Sequence, residues 1–149
     1  MKKSFIYLLW AARLVAAIIM LQTLYFKFLG QPESIYIFTK LGVEPWGRIG
    51  SGVVELIAST LILIPRTSWI GAFVGLGVMG GAILSHLTIL GIDILGDGGY
   101  LFGLAVAVAA SCLVIIRLTR YEWGAIVYHL LQRLSGNKPA NELPARRVM

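Results

Sequence analysis

Arg13, Glu55 and His86 are ionisable side chains that fall inside long apolar stretches, and they are where this chain could do chemistry. Glu55 stands near the middle of the run from Arg48 to Arg66, with Ser51, Gly52 and Ser59 about one turn away on the same helical face. A charged group at the centre of a spanning helix costs about 2.5–3.5 kcal/mol on insertion scales, so it should face protein or water and have a partner. At 1.5 Å per residue, Arg13 lies about 13 Å from the start of its apolar segment and Glu55 about 15 Å from the end of its own. Adjacent antiparallel helices would put both at nearly one depth, so an Arg13–Glu55 ion pair is expected, forming a buried polar centre with Ser51 and Ser59. Two uses stay open: a staple that fixes helix register, or the wall of a cavity that binds or protonates something. His86 falls about 25 Å along its segment. Lys27, Asp93 and Asp97 come to the same level and form an outer mouth with it, either as hydrogen-bonded interfacial groups or as a polar entrance for a ligand, proton or partner.

Other chemistry is poorly supported. One histidine and two aspartates at these spacings match no metal-ligand motif, and no metal is assigned. There is no nucleophile with a base and an orienting group, no glycine-rich phosphate loop after a strand, and no haem-like histidine pair, because His129 belongs to the opposite side. No catalytic residue is assigned, and the chain is not read as an enzyme on its own. Cys112 is the single cysteine, which excludes an internal disulfide or a two-cysteine relay and reads as an apolar packing residue.

The elements that must position these groups are apolar helices. Hydrophobic residues make up 58% and charged residues 13%, with a mean hydropathy of +0.82. Soluble domains carry roughly twice that share of charge. The expected fold is all-α: a polytopic membrane protein with a four-transmembrane-helix bundle over residues 1–118 and spans at about 4–25, 47–64, 69–90 and 100–116. The first of these is a retained span rather than a signal peptide, because its apolar run is long and Arg13 interrupts it. A short helix is expected in the first outer loop, started by Pro32 and ended by Gly42, with Ile35, Phe38 and Leu41 on one side. Residues 119–134 read as an amphipathic interfacial helix and 135–149 as a flexible polar tail. Pro65 and Arg66 make a tight turn between the second and third spans. The third span carries Gly71, Gly75, Gly77, Gly81 and Ser85 as small-residue packing positions on two faces.

The net charge of +6 belongs to residues that flank the spans, which speaks against nucleic acid. With the N-terminus inside, the inner side holds Lys2, Lys3, Arg66, Arg117, Arg120, Arg133, Lys138, Arg146 and Arg147, against Lys27, Lys40 and Arg48 outside. That asymmetry places both termini in the cytoplasm.

Taken in order, several short motifs resemble the DoxX-like family of small four-helix integral membrane proteins. They are Arg13 with Phe26-Lys27-Phe28, then Gly47-Arg48-Ile49-Gly50-Ser51-Gly52 with Glu55, and Pro65-Arg66-Thr67. Gly80-Gly81-Ala82 through Ser85-His86-Leu87 and Asp97-Gly98-Gly99 complete the set. The resemblance covers about residues 5–118. It implies a bundle in the bacterial cytoplasmic (inner) membrane that works beside another protein: an auxiliary subunit of a quinone- or thiol-linked redox system, with quinone as the cofactor to look for. Two alternatives stand beside it. One is a non-catalytic assembly, chaperone or structural subunit that docks another membrane protein, or a second copy of itself, through the glycine-rich third span. The other is a carrier for a small solute or lipid.

Overall fold

The structure is a computed structural model and describes residues 3–121 together with Gly124, Tyr128, Leu131 and Leu134. Among the described residues up to Leu118, five α-helices follow in order: α1 (Lys3–Phe28), α2 (Pro32–Lys40), α3 (Trp46–Leu63), α4 (Ser68–Ser85) and α5 (Tyr100–Leu118). A π-helical turn, His86–Leu90, extends α4. No strand occurs among the described residues. Among the described residues, four helical segments are long and apolar enough to cross a membrane: Ser4–Phe28, Trp46–Leu63, Ser68–Leu90 and Tyr100–Leu118. The chain divides into two compact units, Met1–Leu118 and Thr119–Met149. In the second unit, most of the expected amphipathic helix at 119–134 and all of the tail at 135–149 lie outside the described residues.

Helix ends follow local chemistry. Pro32 opens α2, where its missing N–H costs nothing, and Gly42 follows the helix at φ 72°, a conformation that other residues rarely adopt. α3 stops at Ile64, which is extended (φ −85°, ψ 116°) because Pro65 follows it. The π-helical turn closes with the Gly91 amide donating to the His86 carbonyl at 2.9 Å, and Gly91 itself sits at φ 85°.

α1 packs against α3 and α5, and α4 packs against the same two, so the helices form a ring in the order α1, α3, α4, α5. Antiparallel neighbours are evident from their contacts: Gly71 of α4 lies against Ala58 and Ile62 of α3, and Gly75 against Cys112 of α5. α2 crosses one end of the ring, touching α1, α3 and the π-helical turn. The ring's other end carries the tight α3–α4 connection, here called the hairpin end. The core is built largely from small residues: Ala12, Ala16 and Ala17 on α1, Ala58 on α3, Ala72 on α4, and Ala109 and Cys112 on α5, with Met20, Ile62 and Ile115 between them. Outward positions such as Ile18, Ile57, Phe73 and Leu113 are large and exposed. A surface of this kind is the inverse of a soluble bundle's.

Of the expected glycine packing positions, Gly71 and Gly75 are the two in close contact with another helix among the described residues. A Cβ on Gly71 would stand 2.6 Å from the Ala58 carbonyl oxygen and 2.7 Å from the Ile62 nitrogen. Gly77 and Gly81 have nothing within 4 Å of such a Cβ. Two residues further along a helix is about 200° around it, so the second pair looks away from the face that α3 and α5 cover. Gly71→Ala is therefore expected to destabilise the protein by about 1–3 kcal/mol, because the clash is with backbone that cannot rotate away. Gly81→Ala should be neutral or slightly stabilising. Thermal unfolding of the two variants in one detergent checks this contrast.

Candidate functional site

Glu55 is 1% exposed, on the α3 stripe of buried residues that also contains Arg48, Gly52, Ser59 and Ile62. Its carboxylate pairs with the ammonium of Lys27, from the last turn of α1. The Thr23 hydroxyl lies 2.9 Å from the second carboxylate oxygen and 2.8 Å from the Met20 carbonyl, so its one hydrogen is shared between them. Ser59 donates to the Glu55 backbone carbonyl at 2.8 Å and so supports the helix rather than the carboxylate.

The expected Arg13–Glu55 pair is not among the ion pairs of the described residues, which are Lys27–Glu55 and Arg48–Glu44. Arg13 is buried at the hairpin end, where it donates to the Ser68 hydroxyl at 2.8 Å and the Pro65 carbonyl at 3.4 Å, with the Trp10 ring 5.2 Å away. Side-chain tilt explains the change of partner. Helical side chains lean toward their own N-terminus, so on antiparallel helices two residues at one level lean apart. Arg13 leans toward the hairpin end and Glu55 toward the α2 end, while Lys27 leans back from the α2 end to meet it.

Arg48 completes this region. It forms a two-nitrogen ion pair with Glu44 and donates to the Lys27 carbonyl, which caps the C-terminal end of α1. A Cβ on Gly52 would lie 3.1 Å from the Phe28 ring, so α1 and α3 also meet closely here.

Between this charged pair and α2 lies a cavity of about 420 Å³. Its charged floor is Lys27 and Glu55, beside Thr23 and Ser51. Ile19, Met20, Val78, Met79, Leu101, Leu104 and Val108 make apolar walls, and Glu33, Ser34, Ile37 and Phe38 of α2, with Leu41 just after it, form the roof. The face of α2 that turns inward is thus Ser34, Ile37, Phe38 and Leu41, while Ile35 is exposed.

His86 is buried and lines the cavity. Its Nδ1 lies 2.8 Å from the Gly91 carbonyl. A carbonyl only accepts, so Nδ1 carries a hydrogen and Nε2 of the neutral ring is an acceptor. The ring meets Phe102 edge-on, with centroids 5.6 Å apart.

The other groups expected at the mouth separate. Asp93 accepts from the Gly98 amide at 3.0 Å and does not line the cavity. Asp97 lines it, but its oxygens hold the loop: the Ile94 and Gly99 amides donate to one at 2.8 and 2.9 Å, and the Leu101 amide to the other at 2.9 Å. Gly81 and Ser85 also line the cavity, whereas Arg13 and Ser59 do not. Gln22 lines it and was not anticipated; an amide inside an apolar run was its only signal. No group of three His, Cys, Asp or Glu among the described residues is placed to hold a metal. Comparison with known families, curated proteins and solved structures returned no match.

The pair assignment has a direct thermodynamic consequence. Lys27→Met or Glu55→Gln alone leaves a buried group without its partner and should cost about 3–5 kcal/mol, with the double variant recovering part of the loss. Arg13→Met should add to Glu55→Gln within about 0.5 kcal/mol, as independent sites do. Double-mutant cycles on unfolding in detergent would show which basic residue is coupled to Glu55.

Asp97 supplies a pH dependence. Desolvation pushes its carboxyl up, but the donating amides of Leu101, Ile94 and Gly99, helped by Asp93, outweigh that and hold it below the ordinary carboxylate range. The lowered value means that its stabilisation is complete above the unfolded carboxyl's pKa of about 3.9 and is lost as pH falls through the folded value. Protection of the Gly99 and Leu101 amides from hydrogen exchange should drop over that acidic window, and Asp97→Ala should abolish the step.

Proposed function

We propose that this chain is a multi-pass membrane protein that acts as an auxiliary subunit of a membrane redox system, its cavity receiving the head of a quinone or a similar neutral lipophile. The observation that carries the reading is the cavity itself: apolar walls over a mutually neutralised Lys27–Glu55 pair. Sites for apolar ligands pair such walls with a few placed polar groups. The Lys27 ammonium has hydrogens beyond the one given to Glu55 and can donate to a carbonyl oxygen, while Nε2 of His86 can accept from a hydroxyl. A ligand that alternates between carbonyl and hydroxyl forms would find both kinds of partner. The redox association draws on the DoxX-like motifs, which include Lys27, Glu55 and His86. The charge asymmetry of the loops supports an orientation with both termini inside, and the DoxX-like resemblance implies that the membrane is a bacterial cytoplasmic one.

A second reading, an assembly subunit that docks another membrane protein, is favoured by the open face of α4. Gly77 and Gly81 are exposed there with no neighbour, and close helix approach in lipid uses such positions.

The experiment is to purify the protein from native membranes in mild detergent, extract it, quantify lipoquinone, and titrate the emptied protein with decylubiquinone. Near-stoichiometric quinone, and at least tenfold weaker decylubiquinone binding by Lys27→Met, are expected. Quinone-free protein with no measurable affinity for decylubiquinone would defeat the redox reading. A stoichiometric protein partner lost in Gly77→Leu/Gly81→Leu, from a sample without quinone, would establish the second.

A further inference from the structure

Gln22 belongs to the candidate span of α1, where its amide has two N–H donors and a carbonyl acceptor to satisfy. The residue is exposed, lines the cavity, and makes no side-chain hydrogen bond among the described residues. Facing hydrocarbon, such an amide is costly, and a polar side chain kept in a span is a functional candidate. Its position on α1 shows what it looks toward. Phe28 packs on Gly52 and so marks the flank of α1 that faces α3. At 100° per residue, Ile19 and Phe26 lie on the flank away from Phe28, toward the remaining neighbour, α5. Gln22 lies further out, about 160° around the helix from buried Met20 and Leu24, so it stands on the outer rim of that seam while still lining the cavity.

The α1–α5 seam is closed toward the hairpin end, where Ala12, Ala16, Cys112 and Ile115 are buried together. Toward α2 the residues that line the cavity come to the surface: Phe26 is 39% and Tyr100 58% exposed.

We infer that the seam between α1 and α5 is a lateral doorway from the bilayer into the cavity, with Gln22 as the residue at its threshold that recognises the ligand's head. The ligand class follows from the same groups. Lys27 and Glu55 neutralise each other, Asp97 is committed to backbone amides, Glu33 lies in the first turn of α2, where the helix N-terminus favours a carboxylate, and the free amide of Gln22 donates and accepts without charge. The occupant is a neutral lipophile with a carbonyl or hydroxyl head, which enters head first and leaves its chain in the seam. A lipoquinone and a neutral glycerolipid share that chemistry. The inference rests on the cavity being a ligand site, as proposed above.

The test uses the full-length protein in phosphatidylcholine vesicles with two probes, decylubiquinone and monoolein, each also prepared with a diazirine at the chain end. Wild-type protein should bind at least one of them, and whichever binds identifies the source. Gln22→Leu, an exposed position whose variant should melt as wild type does, is expected to weaken that probe about tenfold, the worth of one hydrogen bond shielded from water, and Gln22→Asn to restore part of the loss. Photolabel should fall on residues 18–26 of α1 and 100–104 of α5. Undiminished binding by Gln22→Leu, with Lys27→Met impaired, would overturn the threshold role while leaving the cavity site intact. Label concentrated on α2 would overturn the lateral route. Failure of both probes to bind wild-type protein would remove the cavity reading and this inference with it.

Discussion

The ion pair between Lys27 and Glu55 is the constraint to which the rest of the bundle is fitted. Neither charge can be left alone in so apolar a setting, since breaking a buried pair costs far more than a surface pair contributes. The pair therefore sets how α1 and α3 lie along each other. Arg13 does the corresponding work at the hairpin end, binding Ser68 and the Pro65 carbonyl. Arg13, Met20 and Lys27 recur at seven-residue steps, so one stripe of α1 carries a cation toward each end and a thioether between them. A slip of one residue along that stripe would unpair both cations at once. This register control needs no large side-chain interlock, which suits a core made mostly of alanine.

The cavity is the counterpart of that control. At the hairpin end, Gly71 brings α4 onto the backbone of α3 and the space between the helices is filled. Toward α2, small residues such as Gly81, Ala82 and Ala105 line the interior without a large neighbour to fill it. The π-helical turn at His86–Leu90 contributes as well. An extra residue in the turn re-aims the side chains that follow, and such turns recur at functional sites. Here both buried residues of the turn, His86 and Leu90, line the cavity, and Lys40 of α2 reaches the Leu90 carbonyl at 3.3 Å.

Much of the scaffold was legible in the sequence, because hydropathy and turn chemistry act locally. The four apolar helices begin and end within a few residues of the expected spans, and Pro32, Gly42 and Pro65 sit at the helix boundaries where their backbone preferences place them. The partner of Glu55 was not legible from depth alone. Rise per residue places Cα atoms, whereas charged groups meet at the ends of long side chains that lean toward their helix N-termini. That lean moves Arg13 and Glu55 apart by more than their matched levels suggested, and it brings Lys27 in from the end of α1. The glycines were half legible: their spacing showed two faces, but which face the chain itself would cover depends on the order of helices in the ring.

The cavity and the open glycine face of α4 bear on function differently, and their separation in the fold matters more than either feature alone. The charged pair and cavity lie inside the ring, whereas Gly77 presents backbone outward from α4 and does not line the cavity. Gly81 belongs to both, lining the cavity while its own Cβ position is open. A helix from another protein laid along Gly77 and Gly81 would thus come within one residue's thickness of the ligand space without obstructing the α1–α5 seam. Ligand occupancy and partner docking are then compatible on one small bundle. Such an arrangement is what the proposed auxiliary subunit requires if it is to present a membrane-dissolved molecule to a neighbour.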